Sequence, residues 1–113
     1  MPEPRYGAVW LADLNPTIGR EQSGRRPVLI ISDDLFNSGN AGLIVALPLT
    51  TKEKGIPLHV KLLPPEGGLK QTSFIKCEDI RSCSKERLVT PYGYVSTATL
   101  EAVNYRLRLL LKL

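Results

Sequence analysis

The sequence predicts a mainly β protein with α: a small, curled antiparallel sheet or barrel that carries one C-terminal helix. Three observations lead there. Short runs rich in Val, Ile and Leu alternate with Gly, Pro and Asn through the first half. From Thr97 onward the apolar period changes to three and four residues. The length of 113 residues suits one domain over residues 1–113, since two would leave each half too small for a core.

Residues 6–14 are the first expected strand, with Val9 and Leu11 alternating against Ala8, Trp10 and Ala12. Asn15 and Pro16 break it, and Gly19 and Gly24 mark a loop. Residues 27–32 (PVLIIS) form a continuous apolar run, the pattern of a strand buried on both faces. Residues 33–40 suit a helical turn capped by Ser32 or Asp33 and closed by Gly39. Further strands are expected at residues 42–49 and, after a turn at 55–57, at residues 58–63. Residues 64–68 (PPEGG) are a loop, residues 73–82 resume extended structure, and a short strand at 92–95 completes the set. Over residues 97–113, Leu100, Val103, Leu107 and Leu110 make one helical stripe, with Ser96 or Thr97 as cap and Glu101 near the N-terminus. Leu109, Leu111 and Leu113 add apolar surface beyond that stripe. Core packing accounts for it, and a homodimer contact is the alternative.

A net charge of +4 and a pI near 9.3 favour polyanionic partners: RNA, DNA or an acidic protein segment. No run approaches the roughly 18 apolar residues of a membrane span, and residues 1–5 lack a signal-peptide core, so a cytoplasmic location is expected. Cys77 and Cys83, if on one extended strand, would stand about 20 Å apart, too far for a disulfide. Metal is not expected, because His59 is the only histidine. With no carboxylate near it in sequence, His59 reads as structural. Tyr6, Trp10, Phe36, Phe74, Tyr92 and Tyr94 could stack on bases, but sparse aromatics in a small β domain are usually core.

Three clusters could carry chemistry. Residues 19–27 (GREQSGRRP) combine the guanidiniums of Arg20, Arg25 and Arg26 with Glu21 and Gln22 on a glycine-flanked loop. Guanidiniums match phosphate oxygens with paired donors and stay charged at physiological pH. Arg26, preceding Pro27, is biased to extended geometry where loop meets strand, and is therefore better fixed than the others. The second cluster, Thr50, Thr51 and Lys52, lies at a strand exit, where hydroxyls and an ammonium could hold a phosphate or simply cap a turn. The third is Glu78, Asp79 and Arg81; on an extended chain Asp79 and Arg81 share a face with Ile75 and Cys77 and either line a pocket or form a structural ion pair.

Residues 13–27 (DLNPTIGREQSGRRP) closely resemble the first loop of the MazF/PemK/Kid toxins, and are followed in order by VALPLTTK at 45–52, IPLHV at 56–60 and FIKCEDIR at 74–81. The resemblance runs from about Arg5 to the final helix. It implies an SH3-like, CcdB/PemK-type barrel, a homodimer, and metal-independent, cofactor-free cutting of single-stranded RNA to 2′,3′-cyclic phosphate and 5′-hydroxyl ends. It also implies an acidic, MazE-like antitoxin partner. The family's catalytic Arg and Thr fall on Arg26 and Thr50, and Glu21 matches a loop Glu linked to activity. Gln22, Arg25, Thr51, Lys52, Glu78, Asp79 and Arg81 are the accompanying RNA-contact candidates. Asp79 departs from the Gln of some relatives, which bears on cleavage-sequence preference. Arg26 suits charge stabilisation, not base chemistry, because a guanidinium does not readily deprotonate. Glu21 is the least poor base, and that assignment stays open. The competing readings are a CcdB-type gyrase inhibitor of the same fold and a silent relative that only binds antitoxin.

Overall fold

The computed structural model describes residues 3–14 and 24–113. Among them seven strands form one antiparallel sheet: β1 (Ala8–Asp13), β2 (Arg25–Ile30), β3 (Leu43–Thr50), β4 (His59–Leu62), β5 (Ser73–Lys76), β6 (Arg81–Ser84) and β7 (Leu88–Tyr94). The order is β4-β5-β3-β2-β1-β7, with β6 also paired to β3. A one-turn helix α1 (Asp34–Asn37) joins β2 to β3, and α2 (Thr97–Leu111) ends the fold.

The apolar run at residues 28–30 behaves as its composition demands. Leu29 packs in one cluster with Val9, Leu47, Leu49, Val60, Leu62, Ile75 and, from α2, Val103 and Leu107. Val28 and Ile30 pack on the opposite side with Trp10, Ala12, Ile44 and Ala46. The alternation expected of Val9 against Ala8, Trp10 and Ala12 splits between the same two clusters. Strands β1 to β3 are therefore buried on both faces, which is why they carry few polar residues.

Local signals set the helices. The Asp33 carboxylate accepts from Leu35 N–H and starts α1. Ser32 and the buried Asn37 then bond each other, and Val45 N–H donates to Ser32 Oγ at 2.9 Å, tying α1 to β3. The left-handed glycine after α1 is Gly42 rather than Gly39, because Ser38 closes the helix in right-handed geometry. Ser96 Oγ accepts from Thr99 N–H and starts α2 as expected. Of the predicted stripe, Leu100, Val103 and Leu107 pack inward, whereas Leu110 is exposed along with Leu109, Leu111 and Leu113. The loop at residues 64–68 docks on β7: a Cβ on Gly68 would lie 2.1 Å from Tyr92 O, so no other residue fits there.

Three expectations are corrected. The stretch 73–82 is not one strand: a turn, closed by Asp79 N–H donating to Lys76 O at 3.0 Å, separates β5 from β6. The last strand starts at Leu88 and passes through Pro91, which sits on an outer strand beside a register shift, where its missing N–H is tolerated. Strand β2 starts at Arg25, so Arg25 and Arg26 stand on the strand, paired with Asp13 and Ala12. Among the described residues no helix is long and apolar enough to cross a membrane.

Candidate active site and nucleic-acid face

Register decides which side chains meet. In β2–β3, Val28 faces Pro48 and Ile30 faces Ala46. Continued by two residues, that register sets Arg26 level with Thr50. Thr50 is paired with Phe74 of β5, and Phe74 with Lys61 of β4. Paired residues on adjacent strands share a face. Arg26, Thr50, Phe74 and Lys61 therefore form one row across four strands, about 14 Å long at ~4.8 Å per strand. The neighbouring row on the same face holds Pro48, Lys76 and His59, since His59 pairs with Lys76. Arg81, opposite Ala46 on β6, stands on this face too. Sequence reasoning thus placed Arg26, Thr50 and Arg81 in one site, and the sheet puts them on one surface.

Thr50 is buried at the strand end, and its Oγ1 accepts from Lys52 N–H at 3.2 Å. The turn-capping role and the site role are compatible, because that bond uses a lone pair and leaves the hydroxyl hydrogen to donate. Thr51 and Lys52 follow exposed, as does Arg25 on β2. Glu21 and Gln22 lie outside the described residues.

The turn after β5 carries the third cluster, and its wiring differs from the sequence expectation. Asp79 accepts two bonds from Arg81 Nη2, each 2.9 Å, and Lys76 Nζ lies 3.6 Å from it. The ion-pair reading of Asp79 and Arg81 holds, but the shared face does not. Ile75 and Cys77 point into the α2-covered core while Arg81 stands on the other side. The turn resets the alternation that an unbroken strand would have kept. Glu78 bonds His59, Oε2 to Nε2, at 2.9 Å. The carboxylate missing from His59's local sequence is supplied from β5's end.

Two concavities flank the row. A groove of about 520 Å³ is lined by Pro27, Thr51, Leu69, Lys70, Gln71, Ser73 and Tyr92, with Gly68 and Pro91; neither Arg26 nor Thr50 lines it. A smaller pocket of about 190 Å³ lies on the row's own face, between Glu53–Ile56 and the side chains of His59, Lys61 and Phe74. Lys61, Lys70 and Gln71 were absent from the sequence-derived set: strand register alone links Lys61 to Thr50 through Phe74, and the folded groove alone sets Lys70 and Gln71 beside Thr51.

The two thiols stay out of this chemistry. Burial pushes Cys77 up to about 11, against the opposing pull of Arg106, and burial likewise raises Cys83. Both are free, on separate elements rather than one strand. Among the described residues no group of three or more His, Cys, Asp or Glu could hold a metal ion.

Residues 5–111 match the family described as PemK-like, MazF-like toxin of type II toxin–antitoxin system. The chain belongs to that family. It is 35% identical to endoribonuclease MazF9 of Mycobacterium tuberculosis, over 96% of this chain and 97% of that one. It is 34% identical to endoribonuclease EndoA of Bacillus subtilis, over 96% and 95%. The crystal structure of MazF from Deinococcus radiodurans superposes with a TM-score of 0.87 at 29% identity, over 100% of both chains. A mycobacterial endoribonuclease in complex with its cognate antitoxin superposes with a TM-score of 0.79 at 29% identity, over 100% of this chain and 97% of that one. The curled antiparallel sheet with a C-terminal helix expected of a PemK-type fold is the fold present. These relatives do not favour the gyrase-inhibitor alternative for this MazF-like chain.

Proposed function

We propose that this MazF-like toxin is a sequence-specific endoribonuclease that cuts single-stranded RNA without metal. The observation carrying the reading is the row that begins with Arg26 and Thr50, on the face where Lys61 adds positive charge and Lys76 and Arg81, two cations sharing the one Asp79 carboxylate, leave a further excess. A phosphate set there meets a guanidinium with paired donors and a hydroxyl already oriented by Lys52 N–H. The RNA's own 2′-hydroxyl attacks the scissile phosphorus, the 5′-oxygen leaves, and a 2′,3′-cyclic phosphate and a 5′-hydroxyl result. Arg26 stabilises the charge that builds on the phosphoryl oxygens and steers a proton to the leaving oxygen; Thr50 bonds the phosphate. Glu21 is the candidate for the base, and Gln22, Arg25, Thr51 and Lys52 line the RNA's path. The protein acts in the cytoplasm as a homodimer, with the exposed Leu109, Leu110, Leu111 and Leu113 available as contact surface. An acidic antitoxin segment neutralises the basic face.

The test is digestion of a long RNA in EDTA, followed by sequencing of 5′-hydroxyl ends. Discrete ends at a short motif are expected. Arg26→Ala should lower kcat roughly 10²- to 10³-fold, the loss typical of removing one charge-stabilising donor. Full activity of that variant, or 5′-phosphate products, would overturn the assignment. Intact RNA together with inhibited gyrase would favour the binding-protein reading.

A further inference from the structure

Among the described residues the His59 ring makes one side-chain hydrogen bond, to Glu78. Its side chain is 3% exposed against 32% for Glu78, and its Nε2 lies 2.9 Å from Glu78 Oε2. Its other ring nitrogen, Nδ1, is buried with no hydrogen-bond partner among the described residues. In the neutral ring, a proton on Nδ1 would be a buried donor with no acceptor, whereas a proton on Nε2 has a carboxylate to bond. The ring therefore donates from Nε2, and among the described residues its one bonded side chain, Glu78, is one that reaches the surface. The strand fixes it further: His59 N–H donates to Ile56 O at 2.9 Å, and Lys76 stands opposite on β5. Lys61 lies on the same face, and Glu53 and Lys54 close the pocket beside the ring.

We infer that His59 is a positioning residue for base selection: it anchors Glu78 by Oε2 so that Oε1 presents a fixed acceptor to one base of the bound RNA. Among the described residues no donor bonds Oε1. A charged acceptor accepts from an exocyclic amine, which cytosine, adenine and guanine carry and uracil lacks, so the position selects against uracil, whose Watson–Crick edge presents two carbonyls. An unanchored Glu78 would rotate, and the discrimination of a carboxylate depends on its being held still. The same pocket brings the Phe74 ring beside His59, and Lys61 completes the row that starts at Arg26. The inference rests on the endoribonuclease reading above.

The experiment is cleavage of a randomised single-stranded RNA pool by the full chain, its His59→Leu, His59→Gln and Glu78→Gln variants, with base frequencies counted at each position around the cut. His59→Leu should reduce the discrimination against uracil roughly ten-fold at one position, with KM rising more than kcat falls. His59→Gln, which returns an N–H donor to that place, should restore most of the preference. Glu78→Gln replaces one carboxylate oxygen by an amide donor and should shift the same position towards uracil. An unchanged motif in His59→Leu overturns the inference, as does equal damage in His59→Leu and His59→Gln accompanied by matched losses in Tm, the mark of a purely structural histidine. Should His59→Leu fail to fold, the Glu78→Gln motif decides alone. Cleavage by the parent chain with an unchanged motif in the variants sinks this inference and leaves the function standing; no cleavage by the parent chain removes both.

Discussion

On strands β2 to β5, Leu29, Leu47, Leu49, Ile75, Val60 and Leu62 stand on the side closed by α2, while Arg26, Thr50, Phe74, Lys76, Lys61 and His59 stand on the other. The two sets interleave residue by residue along the same backbone. Strand period alone separates them, so a shift of one position would put guanidiniums in the core and leucines on the surface. The second face is itself divided. Near β1 it is apolar and packed by Trp10, Ala12, Val28 and Ala46, and it turns polar at its borders, at Arg26 beside Ala12, at Arg81 opposite Ala46 and at the β3 exit. The lesson is that one sheet builds stability and chemistry from alternate residues, with the buried half of the second face holding the polar half in register.

The sharpest way to break that comparison is to truncate the first set. Leu47 is fully buried in the α2-side cluster, and Leu47→Ala should cost about 2–5 kcal/mol through lost contacts and a residual cavity. Chemical denaturation should show the loss, while kcat on RNA at a temperature where the variant stays folded should barely change. A large fall in kcat with little change in stability would mean that the two faces are not independent.

How far this division could be read beforehand depends on range. The two-sided burial of residues 28–30 was legible because a continuous apolar run has one economical placement, and α2 was legible from its period and its Ser96 cap. Arg26, Thr50 and Arg81 came from recognisable local motifs. The Cys77–Ile80 turn was not legible, since it contains neither Gly nor Pro; a Lys76–Asp79–Arg81 charge cluster and one backbone bond accompany it, and these form only in the fold. That Lys61 and His59 share the face of Thr50 was not legible for the same reason. Their relation to Thr50 passes through two strand pairings, and the His59–Glu78 bond spans 19 residues. Glu21 and Gln22, read from sequence, lie outside the described residues and gain no structural test.

A milder change sharpens the comparison from the polar side. Lys61 is exposed at the far end of the row from Arg26. Lys61→Ala removes one charge near the RNA backbone, so affinity for an uncleavable single strand should weaken a few-fold, and the slope of log K against log salt should fall by about 0.7. Thermal stability should not move beyond about 0.5 kcal/mol, the range of ordinary surface substitutions. An unchanged salt slope would confine the RNA to the Arg26 end of the face.

The smallest expected effect lies away from both sets, where the residue 64–68 loop holds the start of α2. Burial tends to raise the Glu66 carboxyl, but bonds from Ser96 N–H and from the Thr99 and Ser96 hydroxyls outweigh it and hold the group below its ordinary 4.5. The folded state thus binds this proton less readily than the unfolded chain does. The sign follows: the contribution is complete above about pH 4.5 and is lost as the pH falls through the lowered folded value. Glu66→Gln should therefore flatten the acid limb of a Tm-against-pH curve slightly and lower Tm a little at neutral pH. Because the loop lies behind the core rather than on the row, the variant's RNA motif should match that of the parent chain. An altered motif would show that α2 and the polar face are coupled through the cluster between them, and that the separation drawn by strand period is incomplete.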